Sequence, residues 1–425
     1  MIALGDAPAR PARLPALASP AYRTFLAGIF VANLGGWMQM TAQGWLVLRL
    51  TDSPASLGLA SFAGSVPTLL LTLYAGVLAD RHDRRRLLIA AQVVAVAAAL
   101  LLGLLVALGV VALWHIVLIA FVAGSAQALA SPAFQAIVST LVDRAALGNA
   151  VALNSAQFNL SRIFGPALAG LIVASVGEAA NFWLNALAAF VVIIVLLRIR
   201  LPPNEALSRL EAGLWSNLLD GLRYAAGMRV LLALLLLACA PALFILPYLS
   251  LMPVYARDVL DIGAPGLGLL TSAIGLGAFG GAVAFALLRP AGANARVVLA
   301  GLAAMSGAIA IFSASSWLPL SCLALAVLGA AQVAYYTGTN TLIQLLSPPR
   351  LRGRILSLYI LASLGLLPVG SLGAGIVAEV LGAPPTLVIG GGLAAVWLLA
   401  VVAWAPALLR LRVEQAVAAD GDPPG

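Results

Sequence analysis

Gly76-Val77-Leu78-Ala79-Asp80-Arg81-His82-Asp83-Arg84-Arg85-Arg86 lies between two apolar runs, each long enough to cross a bilayer. A connection this short makes the two flanking helices antiparallel neighbours. Its positive charge places it on the cytoplasmic side, because basic residues near membrane crossings are retained there. A fold of paired crossings follows, and the rest of the chain agrees with it.

The chain has 425 residues, of which 63% are hydrophobic and 9% charged. A soluble domain carries about 25% charged residues, so the surplus apolar surface belongs in lipid. Lysine is absent, and all 23 basic residues are arginine. The net charge of +8 does not indicate nucleic-acid binding. The arginines fall between apolar spans and form no basic face interleaved with aromatics. Cys239 and Cys322 lie inside apolar runs, without disulfide or metal spacing. His82 and His115 belong to no metal pattern, and no cofactor is expected. Arg10 and Arg13 precede no apolar core with a cleavage site, so no signal peptide is expected.

Runs of about 20 apolar residues, enough to span the hydrocarbon core as a helix, occur twelve times. They cover 25–48, 55–78, 87–108, 113–134, 150–173, 182–197, 230–255, 266–288, 297–312, 318–343, 355–380 and 386–409. With the N-terminus inside, 20 arginines fall on the cytoplasmic side and two, Arg49 and Arg257, on the other, leaving Arg162 within a span. That bias requires an even number of crossings and cytoplasmic termini. The expected fold is an all-α integral membrane protein of twelve transmembrane helices in two pseudo-symmetric six-helix bundles. Residues 1–200 form the first bundle. Residues 201–229 form a cytoplasmic linker, in which Leu214, Trp215, Leu218, Leu219, Leu222 and Tyr224 recur at the spacing of an interfacial amphipathic helix. Residues 230–425 form the second bundle and a short cytoplasmic tail. A displacement of 210 pairs Gly58 with Gly268, and one of 204 pairs Leu168 with Leu372, the trace of a parallel repeat.

Gly76, Asp80, Arg81, Arg84 and Arg85, with Leu87 after them, match the loop 2–3 motif Gly-x-x-x-Asp-Arg-x-Gly-Arg-Arg of the major facilitator superfamily. The sequence resembles a transporter of that superfamily. Asp83 stands where the motif usually has Gly, and a left-handed turn is expected there, which Asp tolerates better than most residues. Pro349-Arg350-Leu351-Arg352-Gly353-Arg354 and the run Asn154–Gly170 (Asn-x-x-x-x-Asn-Leu-x-Arg-x-x-Gly-Pro-Ala-Leu-Ala-Gly) resemble the branch containing the enterobactin exporter and the macrolide efflux proteins. The resemblance implies that Asp80 caps the eleventh helix when the inner side is closed, with Arg352, Gly353 and Arg354 in the same gate. The alternative is that these arginines only set topology. Many proton-driven drug antiporters of the superfamily carry an Arg just ahead of Gly124. This chain has only apolar residues from Ile116 to Val122, which weakens that proton relay.

No enzymatic constellation survives inspection. Glu379 is the one acid clearly inside a span, and without lysine no phosphate-binding Gly-x-x-x-x-Gly-Lys loop is possible. Arg162 lies at mid-depth, where a guanidinium needs a cavity or a partner. Two readings stay open: a cation lining a substrate cavity, or a strut between helices. Polar stripes mark the other spans. Asn33, Gln39 and Gln43 lie on the first; Gln127, Ser131 and Gln135 on the fourth; Asn154, Phe158 and Arg162 on the fifth; Gln332, Tyr336, Asn340 and Gln344 on the tenth. Together with Trp37 they are expected to share one cavity with aromatic walls, suited to an amphiphilic substrate.

The expected function is secondary active export of a siderophore or drug by alternating access, driven by protons, by a monomer in the inner membrane. An uncoupled facilitator or lysophospholipid flippase is the rival within transport. A non-transporting receptor or assembly factor is the rival outside it.

Overall fold

The computed structural model describes residues 14–199, 214–287 and 294–411. Arg10, Arg13, Arg200, Arg209, Arg289, Pro290 and Arg412 lie outside the described residues, as does segment 202–213 of the linker. So do the side chains of Asp80, Arg81, Gln135, Leu214, Trp215, Leu218 and Arg410, and the surroundings of Gly76.

Among the described residues the chain is a succession of helices. The first half comprises α1 (Pro20–Thr51), α2 (Pro54–Arg81), α3 (Arg84–Ala107), α4 (Leu113–Thr140), α5 (Leu147–Ser175) and α6 (Glu178–Arg198). A shorter helix, α7 (Leu214–Gly227), follows. The second half comprises α8 (Arg229–Val259), α9 (Gly263–Leu287), α10 (Ala295–Ala314), α11 (Leu318–Leu346), α12 (Arg352–Leu381) and α13 (Ala383–Trp404). Eleven of these are long and apolar enough to cross a membrane by length and hydropathy. The twelfth crossing is α1. Its 32 residues would rise about 48 Å, but Asn33, Gln39 and Gln43 dilute its hydropathy. Leu100, Leu104, Leu171, Leu187, Leu323, Val396 and Leu399 stand exposed. So apolar an exterior suits lipid and not water.

Polar punctuation begins each helix. Ser19 caps α1 by accepting from the Tyr22 N–H, and Ser53 caps α2 by accepting from the Ser56 N–H, each followed by a proline at the first helical position. Asp83 corrects one expectation. Its φ of −61° and ψ of 116° are extended, not left-handed, and its carboxylate accepts the Arg86 N–H at 2.8 Å to cap α3. The residue that replaces the motif's glycine therefore starts the next helix. Left-handed geometry appears instead at Asp52 and Asp261 (φ 50° each), which end α1 and precede α9, and at Gly177 and Gly382 (φ 97° and 85°), which precede α6 and α13. These four sites fall at matching places in the two halves.

The packing repeats as well. In the first half α2 lies on α4, and α3 on α4 and α6; in the second α9 lies on α11, and α10 on α11 and α13. The halves meet through α2 against α12 and α5 against α9. Glycines set both approaches. A Cβ on Gly58 would lie 2.7 Å from the Ser371 carbonyl, and one on Gly375 2.8 Å from the Pro54 carbonyl. At the other seam, a Cβ on Gly268 would lie 2.5 Å from the Pro166 carbonyl, and one on Gly170 2.4 Å from the Ala264 carbonyl. Only residues without a Cβ permit backbones this close.

Helices α8 and α12 are not regular. In α8, π-helical turns at Pro241–Ile245 and Tyr255–Val259 widen the helix, and the Leu246 N–H donates five residues back to the Pro241 carbonyl. In α12 a similar turn spans Leu361–Gly365, shortly before Pro368. Proline removes a backbone donor, and the widened turns accommodate that loss.

Candidate substrate cavity and gates

Among the described residues, two cavities bear on the expected site. The larger, about 700 Å³, sits in the first bundle and runs from mid-depth toward the end that carries Arg84. Asn33, Trp37, Gln127, Asn154 and Phe158 line it, with Gln92, Gln157 and Asn185. Its polar groups are tied together. The Asn33 amide donates to Gln157 Oε1 at 3.1 Å, and the Gln157 amide donates to Asn154 Oδ1 at 3.0 Å. Asn185 donates to Gln39 Oε1. Trp37 and Phe158 meet edge to face, with centroids 6.0 Å apart. Gln157 and Asn185 were missed by the sequence reading. Asn154 and Gln157 stand three residues apart on α5, and Asn181 and Asn185 four apart on α6, so helical spacing held that signal.

The smaller cavity, about 350 Å³, lies between the bundles toward the Asp52 end. Gln43 belongs here, with Gly44, Leu57, Ser61, Leu249, Met252, Leu267 and Ser371. Met40 lines both cavities. Several hydroxyls on its wall point back into their own helices: Thr41 donates to the Trp37 carbonyl, Ser65 to Ser61, Ser250 to Pro247 and Thr271 to Leu267. Such hydroxyls keep lone pairs but no proton for a ligand, so the wall is mostly apolar.

Arg162 joins the halves at mid-depth. Its guanidinium donates to Gln332 Oε1 on α11 at 3.0 Å and stands 5.8 Å from the Trp37 ring centroid on α1. No ion pair between described residues includes it. Tyr336, one turn beyond Gln332, has a buried hydroxyl without a hydrogen-bond partner among the described residues. Asn340 is engaged elsewhere, accepting from the Gln344 amide. Asn340 is eight residues past Gln332, about 12 Å along the helix, and lines neither cavity. Arg162, Gln332 and Tyr336 line neither cavity either, so the tenth-span stripe meets the first bundle through the Gln332–Arg162 bond and not along a shared cavity wall.

Bonds between the bundles gather at the Asp52 end. Ser53 Oγ and the Ala55 N–H donate to Glu379 Oε2 at 2.7 and 3.0 Å, so an acid from the end of α12 caps the start of α2. Arg257 of α8 pairs with Asp52 and with Asp258, the latter at 2.6 Å, and reaches the Leu48 carbonyl. Deeper in, Ser272 of α9 donates to the Ile163 carbonyl at 2.5 Å. At the arginine end, the motif residues bond within their own halves. Arg85 donates to the Leu197 carbonyl of α6 at 2.5 Å. Arg354 pairs with Asp220 of α7 at 2.8 Å, and Gly221 lets α7 sit against Arg354 and Leu358. The Nε atoms of Arg84 and Arg352 are buried without a partner among the described residues. Gly353 has open space around it, and a Cβ there would meet nothing within 4 Å.

Residues 12–423 match the family model described as transmembrane secretion effector. The chain belongs to that family of the major facilitator superfamily. Its relatives include the multidrug efflux pump Tap of Mycobacterium tuberculosis, 30% identical over 373 residues that cover 83% of this chain and 87% of that one. Macrolide efflux protein A of Streptococcus pyogenes is 24% identical over 352 residues, 79% of this chain and 84% of the relative. The staphyloferrin A transporter of Staphylococcus aureus is 31% identical over 174 residues, so this chain spans 44% of its length and the match takes 41% of this chain. Among solved structures, a bacterial homologue of the lysosomal transporter Spinster superposes with a TM-score of 0.69 at 14% identity, covering 96% of this chain and 99% of that one. The xylose transporter XylE from E. coli gives 0.67 at 13% identity, covering 93% and 99%. The family and the fold are those of membrane transporters, not enzymes.

Proposed function

We propose that this transporter exports an amphiphilic small molecule, a siderophore or drug, across the bacterial inner membrane by alternating access. The observation that carries the proposal is the asymmetry of its interior. An amide-lined cavity reaches toward the arginine end, while inter-bundle bonds and glycine contacts gather at the Asp52 end. The arginine bias supports a cytoplasmic position for the first end and for both termini. The cavity is then loaded from inside, and parting of the Glu379–Ser53 and Arg257–Asp52 contacts releases the cargo outside. The relatives named for drug, macrolide and siderophore transport support that direction and that class of cargo. The unit is a monomer, divided at 1–200, 201–229 and 230–425, with the α7 linker docked on the second bundle.

Proton gradient coupling belongs to the same proposal, with Asp80, Arg81, Arg84 and Arg85 of the loop 2–3 motif and Arg352 and Arg354 of loop 10–11 assigned to the inner gate. One observation favours a facilitator as the second reading: among the described residues no acid accompanies Arg162 at mid-depth. Flux of a candidate carboxylate siderophore or anionic drug in proteoliposomes, with and without an imposed pH gradient, tests both. Gradient-driven accumulation is expected. Flux that only equilibrates would leave the facilitator, and no flux above empty liposomes would overturn transport of these compounds.

A further inference from the structure

Three donor groups, a guanidinium and two phenol hydroxyls, converge where α1, α5, α8 and α11 meet, and few acceptors are left for them. A guanidinium carries five N–H donors and no acceptor. Between described residues, Arg162 uses them on one neutral atom, Gln332 Oε1, and adds the face of Trp37. Tyr248 is fully buried. Its hydroxyl lies beside the Arg162 guanidinium without forming a hydrogen bond of good geometry, and it has no other partner among the described residues. Tyr336, whose hydroxyl is also buried and unpartnered, stands near Tyr248 and against Tyr359, whose own hydroxyl donates to the Tyr336 carbonyl at 3.2 Å. A buried polar group is ordinarily paired, because leaving it unpaired forfeits its hydration. This cluster also has an uncompensated positive charge at the depth where charge is most costly.

We infer that Arg162, Tyr248 and Tyr336 form an oxyanion site that holds the carboxylate of the transported amphiphile, a deepening that rests on the transport reading above. A carboxylate is an acceptor-only group, able to take two N–H bonds from one guanidinium edge and further bonds from hydroxyls. It supplies the missing charge and the missing acceptors together. A primary or quaternary ammonium supplies neither, and it meets a like charge in a medium of low dielectric. The apolar body then has a place beside the head. Met40 and the Leu57, Leu249 and Leu267 wall of the smaller cavity begin one turn of α1 from Trp37. The site therefore selects by charge: anionic amphiphiles over neutral ones, and neutral over cationic. It is also built from both bundles, Arg162 from the first and Tyr248 and Tyr336 from the second, so the bound anion ties them together at mid-depth.

The test uses the full-length protein in lipid nanodiscs and three probes with one fluorophore: dansylglycine (carboxylate), dansylglycinamide (neutral) and dansylethylenediamine (ammonium). Binding is read from dansyl emission against empty nanodiscs. Dansylglycine should bind at least about tenfold more tightly than its amide, in keeping with a charge-assisted contact, and the ammonium probe more weakly still. Arg162→Gln should abolish the preference for the carboxylate while leaving binding of the amide within about threefold. Arg162→Lys, which keeps the charge but loses the fork, should retain part of it. Tyr248→Phe should lower dansylglycine affinity about three- to tenfold with the amide unchanged. Equal binding of the three probes, a preference for the ammonium, or no binding by any of them overturns the oxyanion site. A preference that persists in Arg162→Gln overturns the role of Arg162. Because the measurement is of binding, it stands apart from flux. A protein that selects the carboxylate without transporting would break the transport reading alone, and one that transports without charge selection would break this inference alone.

Discussion

The two seams between the bundles are copies of one design put to different uses. At each, a helix entering from the Asp52 end lies against a helix leaving toward it, and a glycine from each bundle removes the Cβ that would block the approach: Gly58 and Gly375 at α2/α12, Gly268 and Gly170 at α5/α9. The α2/α12 seam ends in exposed polar groups, with Glu379 on Ser53 and Ala55. Exposed contacts of this kind contribute about 0–1 kcal/mol each and part readily. The α5/α9 seam is bonded in its interior, through the buried Ser272 hydroxyl on the Ile163 carbonyl and the contact of Gly275 with Ile163, next to Arg162. Two seams with the same paired-glycine approach thus yield one suited to opening and one suited to holding the cargo site together.

Substitutions that separate the seams follow from this difference. The largest effect is expected from Gly170→Ala at α5/α9, where the new methyl lies 2.4 Å from a backbone carbonyl. Overpacking of this kind costs about 1–3 kcal/mol. Transport should fall about tenfold or more, with a lower melting temperature in detergent, whereas Gly373→Ala, with no atom within 4 Å of its Cβ, should leave both unchanged. Next comes Asp80→Asn, which should reduce vesicle transport several-fold through the inner gate, with insertion and folded yield unaltered. Unaltered transport would remove Asp80 from the gate. A smaller effect is expected from Asp220→Asn, which frees Arg354 from α7; about 0.2–1 kcal/mol for a partly exposed pair should change flux by less than about fivefold. The smallest is expected from Ser53→Ala. It removes the hydroxyl that donates to Glu379 and the cap of α2 but leaves the Ala55 N–H in place, and should raise labelling of a cysteine at the outer end modestly. A collapse of transport in Ser53→Ala would show that the α2/α12 seam, too, holds and does not merely open.

The fold was legible in the sequence because lipid imposes a simple code. Twelve apolar runs, one arginine-rich turn and a one-sided charge bias were enough. Most observed helices extend the runs, α1 back to Pro20 and α4 on to Thr140, with Ser19, Ser53 and Asp83 starting them outside the apolar stretch, whereas α13 stops short at Trp404. The repeat showed faintly in Gly58 and Gly268, whose shared role is visible only once the seams are seen. The cavity was harder to read. Polar stripes at every fourth residue reveal a face but not the depth at which each residue meets a neighbour. Gln43, ten residues beyond Asn33 and so about 15 Å along α1, falls in the other cavity. Gln157 bonds Asn154 on its own helix, a pairing that helical spacing holds, but its other partner Asn33 and the partner of Asn185, Gln39, lie on α1, and periodicity within one helix cannot pair those. The partner of Arg162 had the same limit: a neutral amide on α11, and not an acid, receives its bond.

The most direct test is a pair of distances between the bundles, one at each end, measured by double electron–electron resonance. In a Cys239→Ser, Cys322→Ser background, spin labels at the exposed Leu59 of α2 and Val380 of α12 report the opening seam at the Asp52 end, and labels at Arg144 and Arg350 the arginine end. On changing pH or adding a transported compound, rocking about the two seams requires the first distance to lengthen as the second shortens. If both distances stayed fixed, or moved in the same direction, the bundles would not exchange access between the two faces.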